Sequence, residues 1–434
     1  MPLSPSDISA KFRKSLPASR HQVLRAAGLA AQESGAQAYL VGGIVRDIAL
    51  DYPDTDLDIV VEGDALAVAR MFAARVRGQA HGVTKFGTCK VEAQGLGTVD
   101  FATARSETYE HPGALPRTRP ADIQSDLVRR DFTINAMALA LNPSRYGELL
   151  DPCGGLADLE TGRLRVMHGR SFIDDPTRIL RGARFAARYG FRFERRTRSL
   201  AQACLADGGL GSISGKRVFR ELSLICMEPR ALRGLRLLDR QGILGLVFGR
   251  RSGARKRQRL WGQLGGAAGA IGRSAGRDFA RAWVVWFASC FVGLGRKRAG
   301  QLAISFNLAK DVRSVCLWTA ADHRRTGARL GRLNREQAYR VKRLLDAVPA
   351  ESLVILYADS GRAGRKLIRT YFTTWRKVSP LVTGEDMASL GIGQGPAVGA
   401  ILDRIVRLKL AGLLTTREAE LAYVQRAAKS RDRC

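Results

Sequence analysis

The chain lacks the features that mark membrane, secreted and zinc-binding proteins. No apolar run reaches about 18 uncharged residues, and the most apolar stretch, from Phe279, contains Arg281, which favours a buried helix. The seven cysteines include no CxxC pair and the five histidines do not cluster with them, so we expect free thiols in a reducing compartment. The N-terminus has no apolar segment of a secretion signal. We therefore expect a soluble, cytoplasmic protein without a membrane span.

Acidic residues are few relative to basic ones. Lys and Arg number 71 against 40 Asp and Glu, which gives a net charge of +31. Such an excess predicts salt-dependent attraction to a polyanion, and nucleic acid is the polyanion we expect. The alternative is a charge that serves solubility or reflects an arginine-rich composition. The basic stretch 248–261 has the same two interpretations, contact with a phosphate backbone or a solvated face.

The order of the apolar patterns predicts an α+β protein. Helical spacing over 20–33, 43–50 and 64–78 alternates with strand-like segments at 38–43, 56–61, 88–93 and 97–104, which together predict a small α/β domain. Residues 105–125 contain three prolines without periodicity and predict a mobile loop. After Gly155 the pattern is helical to the C-terminus. We expect a head domain over 1–150 and all-α domains over 151–240, 241–370 and 371–434.

Two aspartates interrupt the predicted strand 56–61. Asp56 and Asp58 alternate with apolar residues, so both carboxylates project from one face of the strand. Adjacent carboxylates repel unless a cation lies between them, and oxygen ligands without histidine or cysteine favour Mg²⁺ or Mn²⁺. Asp100, on a neighbouring predicted strand, is the candidate third carboxylate of a two-metal site. The alternative is a pair of exposed aspartates at a strand end.

A glycine pair precedes these aspartates. Gly42 and Gly43 open the predicted helix 43–50, and a glycine turn lets backbone N–H groups approach a phosphate. Arg46, one turn into this helix, can donate a charge-assisted hydrogen bond to a triphosphate. The glycine pair alone is a weak signal. Together with the aspartates on the following strand, it indicates a site for a metal-bound triphosphate.

Three segments in this order resemble class II tRNA nucleotidyltransferases and bacterial poly(A) polymerases: "LVGGIVRD…DTDLDIVV", "DLVRRDFTINAMAL" and "DDPTRILRGARFAARYGF". The resemblance covers about residues 35–230, and residues 380–402 resemble the C-terminal part of some members. It implies a nucleotidyltransferase head followed by an elongated helical neck, body and tail that bind RNA. It also implies that Gly43 and Arg46 hold the nucleotide's phosphates and that Asp56 and Asp58 are the metal ligands.

The other two segments match the family's nucleotide readers. Arg130 and Asp131 match the pair that recognises the ribose; the alternative for Asp131 is capping of a helix N-terminus. Asp175 and Arg178 match the pair that reads the Watson–Crick edge of ATP or CTP. Arg181 and Arg184 follow at helical spacing and extend one basic stripe, for which the alternative is a solvated helix face.

The resemblance implies attack of an RNA 3′-hydroxyl on the α-phosphorus of ATP or CTP, with release of pyrophosphate. The acceptor would be the 3′ end of tRNA or another RNA. Family members add CCA, only CC, only the terminal A, or poly(A), and the intact loop 105–125 favours addition of A, with or without CC. The alternatives are a poly(A) polymerase, a CC-adding enzyme and a catalytically silent RNA-binding protein. A fused phosphohydrolase is set aside because no histidine is followed by aspartate.

Overall fold

The structure is a computed structural model that describes residues 4–52, 56–82, 84, 87–93, 97–249, 254–276, 279–392 and 395–431, with the side chains of 254–256 and 429–431 outside the description. The chain divides into two compact units. The first contains residues 1–221 and 228–243, and the second contains residues 222–227 and 244–434. The four predicted domain ranges remain predictions, because this division sets no boundary at residue 150 or 370.

A mixed sheet forms the centre of the first unit. Its strands are β1 (Gln37–Val41), β2 (Leu57–Glu62), β3 (Gln79–His81), β4 (Thr88–Ala93), β5 (Gly97–Thr103), β8 (Ala138–Ala140) and β9 (Leu149–Leu150), and a separate hairpin consists of β6 (Arg105–Thr108) and β7 (Arg117–Pro120). The strand order is β3-β4-β5-β2-β1-β8-β9. Strands β2 and β5 pair in parallel, whereas the other described pairs of this sheet are antiparallel.

The N-terminal helices are α1 (Pro5–Ser15), α2 (Ala18–Glu33), α3 (Gly43–Ala49), α4 (Ala65–Arg75) and α5 (Ile123–Val128). The predicted helices at 20–33, 43–50 and 64–78 and the predicted strands before and between them are therefore confirmed. Asp64 caps α4 as expected, because its side chain accepts hydrogen bonds from the backbone N–H groups of Leu66 and Ala67. Phe72 on α4 packs against Phe101 on β5 and joins this helix to the sheet.

The loop prediction for 105–125 is wrong at its two ends. Residues of β6 pair with β7 in antiparallel register, and α5 begins at Ile123. The sequence did not predict these elements because the segment lacks apolar alternation. Glu107 on β6 accepts hydrogen bonds from Arg105 Nη2 at 3.2 Å and Arg129 Nη1 at 2.8 Å. Mobility of the connection between β6 and β7 remains a prediction.

The rest of the first unit is helical, as expected, with one exception. Its helices are α6 (Gly155–Glu160), α7 (Ser171–Asp174), α8 (Thr177–Tyr189), α9 (Arg195–Ala206), the start of α10 (Gly215–Met227) and α11 (Ala231–Arg240). The exception is a short parallel pair of β10 (Arg163–Leu164) and β11 (Arg192–Phe193). Phe193 on β11 packs against Phe132.

The described part of the second unit is helical. The helices are α12 (Ile243–Phe248), α13 (Ala254–Ala275), α14 (Ala282–Ser289), α15 (Arg296–Ser305), α16 (Lys310–Ala321), α17 (His323–Leu330), α18 (Ala338–Asp346), α19 (Ala350–Asp359), α20 (Arg362–Thr373), α21 (Gly384–Ser389), α22 (Pro396–Leu410) and α23 (Arg417–Arg431). Residues 250–253 of the basic stretch lie outside the described residues. The apolar segment after Phe279 forms the buried helix α14, as predicted.

Two further sequence expectations concern the described residues as a whole. No helix among them is both long and apolar enough to cross a membrane. The six described cysteines, from Cys89 to Cys316, are free thiols, and Cys434 lies outside the described residues. Burial raises the pKa of the Cys226 thiol well above its ordinary value, so this thiol stays protonated within the core.

Candidate active site

The predicted metal platform forms where β2 and β5 pair. Asp58 and Asp100 lie opposite each other in the parallel register, so their side chains share one face of the sheet. On the far side of β5, Lys90 pairs with Asp100 and its Nζ lies 2.7 Å from Asp100 Oδ2. This hydrogen bond, with the charges of Asp100, Asp58 and Asp56, raises the pKa of Lys90 against the opposing effect of burial. Across β2, β5 and β4 the row therefore carries two carboxylates followed by one ammonium group.

The carboxylates suit a hard cation but do not form a closed three-ligand cluster. Asp56 lies just before β2 and is exposed, as is Asp58. Among the residues that the structure describes, no group of three or more potential ligand side chains is close enough to hold a metal ion. Asp100 Oδ1 is buried and has no hydrogen-bond partner, so it keeps an open acceptor next to Asp58. This all-oxygen donor set fits Mg²⁺ or Mn²⁺.

Gly42 brings the backbone close to this platform. Its φ of +81° and ψ of −137° precede α3, and a Cβ atom at this position would lie 3.2 Å from Arg130 Nη1 and 3.8 Å from Asp58 Oδ2. A side chain here would be strained, would crowd the Arg130 guanidinium and would contact Asp58. The backbone at Gly42 therefore lies close to both Asp58 on β2 and Arg130.

Arg46 lines the same region but is largely occupied by neighbouring side chains. Its Nε and Nη2 donate to Asp47 at 2.9 and 2.8 Å, and its Nη1 donates to Asn135 Oδ1 at 2.5 Å. The guanidinium also lies 4.7 Å from the ring centroid of Tyr189, whose hydroxyl donates to Asp47 at 2.8 Å. These contacts make Arg46 a structural anchor of α3 and leave few of its N–H groups for a phosphate.

Arg130 is held by a residue that the motif comparison did not single out. The buried carboxylate of Asp126 accepts from Arg130 Nη2 at 2.8 Å and from Arg129 Nη2 at 2.7 Å. Burial would raise the pKa of Asp126, but the two guanidinium groups hold it below its ordinary value. The i,i+4 spacing of Asp126 and Arg130 is the sequence signal that could have identified this pair.

Asp131 has both of its oxygens engaged. Oδ1 accepts from the Phe132 backbone N–H at 2.9 Å and from Asn135 Nδ2 at 2.8 Å, and Oδ2 accepts from Arg181 Nε at 2.7 Å. Burial would raise the pKa of Asp131, but Arg181 and Asn135 hold it below its ordinary value. The side chain does not cap a helix, because the 3₁₀ turn Thr133–Asn135 begins after Phe132 and has no side-chain cap.

The two predicted base readers differ in how much hydrogen-bonding capacity they retain. Arg178 is 5% exposed, donates from Nη2 to the Arg129 carbonyl at 2.8 Å and has a buried Nη1 without a partner. Asp175 accepts three hydrogen bonds at Oδ1, from the N–H and Oγ1 of Thr177 and from Arg217 Nη2. Within the described chain no hydrogen bond reaches its Oδ2. A donor on Arg178 and an acceptor on Asp175 thus remain available to a ligand.

Most of these groups line one cavity of about 450 Å³. Its lining includes Gly42, Gly43, Arg46, Asp58, Arg130, Asp131, Asp175, Arg178, Arg181 and Arg184, whereas Asp56 and Asp100 are not part of it. The lining contains seven arginines and four carboxylates, an excess of three positive charges. The solvated-face alternative for the α8 stripe is therefore wrong, because Arg178, Arg181 and Arg184 face this cavity.

Sequence reasoning missed several residues of the cavity. Asn135 lines it and bonds to both Arg46 and Asp131, and Glu107 and Tyr109 enter it from the β6–β7 hairpin. A polar residue inside the apolar run "FTINAMAL" was the available signal for Asn135. Glu107 gave none, because its partner Arg129 lies 22 residues further along the chain.

Comparison with known proteins connects this cavity to a family. Residues 38–165 match the family model of the poly A polymerase head domain. The chain is 35% identical to the A-adding tRNA nucleotidyltransferase of Halalkalibacterium halodurans over 382 residues. This aligned region covers 86% of this chain and 85% of that protein. The chain belongs to the tRNA nucleotidyltransferase family. The resemblance noted in the sequence is thereby confirmed.

Two further relatives place this nucleotidyltransferase within its family. The CC-adding tRNA nucleotidyltransferase of Deinococcus radiodurans is 40% identical, but over 48% of this chain and 55% of that protein. The Thermotoga maritima CCA-adding enzyme complexed with tRNA-CCA superposes with a TM-score of 0.80 at 28% identity, over 97% of this chain and 98% of that chain. The predicted fold class is confirmed, because the likeness to that CCA-adding enzyme extends over both units of this nucleotidyltransferase.

Proposed function

We propose that this nucleotidyltransferase transfers AMP from ATP to the 3′ end of tRNA, with or without prior addition of CC. The observation that carries the proposal is the cavity in which Asp58, the arginines of α8 and the open groups of Asp175 and Arg178 meet. The match to an A-adding relative over 86% of the chain supports addition of A. The shorter match to a CC-adding relative supports that activity less.

The carboxylates and arginines have distinct roles in this proposal. Asp56 and Asp58 would hold Mg²⁺ or Mn²⁺, which when bound lowers the pKa of the RNA 3′-hydroxyl and neutralises charge on the pyrophosphate. Arg181 and Arg184 contribute to the positive charge of the lining, which favours a triphosphate in the cavity. Arg46 contributes mainly by holding α3 and Asn135 in place. Asp100 has one oxygen without a hydrogen-bond partner and shares the other with Lys90.

Arg178 and Asp175 can distinguish bases by donor and acceptor order. Adenine and cytosine each present a ring-nitrogen acceptor beside an exocyclic amino donor, which complements a guanidinium N–H beside a carboxylate oxygen. Guanine and uracil present the opposite order, a carbonyl acceptor beside an N–H donor, and would leave both protein groups unpaired. The unpaired Nη1 of Arg178 and the open Oδ2 of Asp175 match the first pattern.

Recognition of the ribose by Asp131 requires an exchange of hydrogen bonds. The carboxylate has about four lone-pair sites, and Phe132, Asn135 and Arg181 already use them. A ribose 2′-hydroxyl would therefore replace one of these donors, and Asn135 is the one that donates from a neutral side chain. Arg130, whose Nε is buried without a partner, provides the neighbouring donor.

We further propose that a basic cavity of the second unit holds RNA phosphates. It has a volume of about 920 Å³ and is lined by Arg259, Arg362, Arg365, Lys366, Arg369 and a single carboxylate, Asp359. Arg365 Nη2 is fixed to the Ala358 carbonyl at 2.8 Å, and Arg369 Nη2 to the Tyr357 hydroxyl at 2.8 Å. Among the described residues, Arg362 and Lys366 form no ion pair. Fixed and unpaired cations in one concavity suit a phosphate backbone.

The experiment that tests the function uses three tRNA acceptors. The full chain is incubated with tRNA ending before CCA, after the first C and after CC, and with an unrelated RNA, each with one labelled nucleoside triphosphate and Mg²⁺ or Mn²⁺. Incorporation of A onto tRNA ending in CC is the expected result. Incorporation of C alone, or repeated A on the unrelated RNA, would replace the proposal with a CC-adding enzyme or a poly(A) polymerase. A cytoplasmic location remains a prediction.

A further inference from the structure

One arginine of the nucleotide cavity lies beyond the residues that the sequence motifs identified. Arg188, near the end of α8, lines the cavity together with Arg181 and Arg184. It follows Arg184 at i+4 and Arg181 at i+7, so it continues the same face of the helix. At 1.5 Å per residue, Arg188 lies about 15 Å along the helix axis from the base reader Arg178. The arginines of α8 therefore extend from the base readers to the far end of the cavity.

This far end of the cavity is the end that meets α3. The Arg188 guanidinium lies 5.1 Å from the ring centroid of Tyr52 and 5.6 Å from that of Tyr189. Tyr189 is also the ring that Arg46 faces at 4.7 Å, and Arg46 belongs to α3, which begins at the glycine pair. In a nucleoside triphosphate, the outer phosphates are the groups furthest from the base. A nucleotide whose base contacts the start of α8 would therefore extend its phosphates toward Arg188.

Arg188 keeps a hydrogen-bond donor that faces no carboxylate at bonding distance. Arg46, Arg130 and Arg181 each donate to a carboxylate, at 2.8, 2.8 and 2.7 Å. Arg188 instead has Glu228 as its ion-pair partner, with 3.7 Å between Nε and Oε2, which is too long for a hydrogen bond. The buried Nε of Arg188 has no hydrogen-bond partner among the described residues. This N–H is therefore available to an anionic ligand in the cavity.

The same loose pairing occurs one turn earlier on α8. Arg184 Nη1 lies 3.7 Å from Glu221 Oε2, and this oxygen is buried without a hydrogen-bond partner in the described chain. Burial raises the pKa of Glu228 in spite of the opposing charges of Arg188 and Arg184, so these ion pairs do not offset its desolvation. The two glutamates thus balance the charge of the two arginines without occupying their N–H groups.

We propose that Arg188 forms a subsite for the outer phosphates of the bound triphosphate and for the pyrophosphate that the reaction releases. The inference rests on the proposed function, because it assigns a further residue to the same cavity. A phosphate oxygen can accept a charge-assisted hydrogen bond from the open Nε, and contact with two aromatic rings orients the guanidinium for it. Arg46, whose N–H groups are largely occupied, would support this subsite through Tyr189 instead of binding the phosphates itself.

The test is calorimetric titration of the full chain with ATP, AMP and inorganic pyrophosphate in the presence of Mg²⁺. AMP contains the base, the ribose and the inner phosphate, so its affinity reports the rest of the cavity. We expect Arg188→Ala to weaken binding of ATP and pyrophosphate about ten- to thirtyfold and to change AMP binding by less than about twofold, because only the outer phosphates lose a charge-assisted contact. Arg188→Lys keeps the charge without the planar fork and should be intermediate. Arg195→Ala, at an exposed position of α9, is the matched control and should bind all three ligands as the wild type does.

Glu228→Gln provides a prediction of opposite sign. It removes the negative charge beside Arg188, and it should strengthen binding of ATP and pyrophosphate about two- to threefold without a change for AMP. In turnover on tRNA ending in CC, Arg188→Ala should raise the KM for ATP and the inhibition constant of pyrophosphate together, each about tenfold.

The outcomes separate failure of this inference from failure of the proposed function. Equal losses of AMP and ATP binding in Arg188→Ala would show that the residue only maintains the fold, and they would overturn the inference. Unchanged binding of ATP and pyrophosphate in Arg188→Ala would also overturn it. If the wild-type chain binds pyrophosphate through Arg188 but incorporates no nucleotide into any tRNA acceptor, the proposed function fails and the subsite stands.

Discussion

Asp58 and Asp100 occupy the same register position of two parallel strands, and Lys90 lies beyond Asp100 at a distance of 2.7 Å between Nζ and Oδ2. The two aspartates are therefore unequal as candidate ligands. Lys90 already neutralises one oxygen of Asp100, whereas Asp58 lines the nucleotide cavity. The pairing predicts a graded response to substitution along this row.

Alanine at Asp58 or at Asp56 should abolish nucleotide incorporation, with a loss on the order of a thousandfold or more, because charge stabilisation by bound metal depends on these carboxylates. Asp100→Ala should lower incorporation less, about ten- to a hundredfold, since one oxygen of Asp100 is already paired with Lys90. Binding of tRNA should change little. Single-turnover incorporation and filter binding measure the two effects, with the exposed Asp207→Ala as the control. Equal losses for Asp58→Ala and Asp100→Ala would contradict the graded role.

Replacement of Asp131 should alter both stability and its dependence on pH. Because the pKa of Asp131 is lowered in the folded protein, its contribution is fully present above the ordinary value of 3.8 and disappears as the pH falls through the folded value. Asp131→Asn should lower the free energy of unfolding by about 2–3 kcal/mol at pH 7, less than for a fully buried pair because Arg181 is 38% exposed.

Urea unfolding at pH 7 and at pH 3 checks this prediction. The difference between wild type and Asp131→Asn should be large at pH 7 and should shrink at pH 3. A difference that stays constant between these pH values would show that ionisation of Asp131 does not stabilise the fold. Asp207→Asn, at an exposed helix end, serves as the control.

Changes to the base readers should relax the choice of nucleotide more than they weaken RNA binding. Asp175→Ala removes the acceptor, and Arg178→Lys replaces a planar fork by a single ammonium group that cannot make the same pair of contacts. We expect incorporation of GTP and UTP to rise relative to ATP by about ten- to a hundredfold, since the unpaired-group penalty against them is lost. Competition between the four triphosphates on tRNA ending in CC measures the ratio. Unchanged selectivity in both variants would remove the base-reading role.

The basic cavity of the second unit should govern affinity for RNA but not the chemical step. Arg362→Glu with Lys366→Glu should weaken tRNA binding at least about tenfold at physiological salt and reduce the slope of log affinity against log salt by about two. The matched control is Lys310→Glu with Arg313→Glu, two exposed residues on α16. Titrations at several salt concentrations measure both quantities. Equal effects of the two double variants would indicate a general charge effect rather than a site.

Local sequence patterns were sufficient to predict the elements around β2, the strand that carries Asp58. Alternation of apolar residues identified β2, β4 and β5, and Asp64 marked the start of α4, because these signals depend on neighbours in the sequence. The β6–β7 hairpin was not predicted, because its strands lack apolar alternation and its contact between Glu107 and Arg129 joins residues that are distant in sequence. Arg46 was expected at the phosphates, but packing against Tyr189 and Asp47 decides its orientation. Arg217 could not be identified from the sequence, because no residue pattern in α10 indicates its contact with Asp175.

The buried, unpaired Nη1 of Arg178 has a consequence for how this chain can evolve. A buried donor without a partner costs about 1–3 kcal/mol in the free protein. A bound nucleotide that accepts a hydrogen bond from Nη1 would remove this cost. Arg178 therefore destabilises the free protein and stabilises its complex with the nucleotide. Selection for thermal stability alone would replace Arg178 with an apolar residue. Its retention in a heat-adapted descendant would therefore record selection for nucleotide choice.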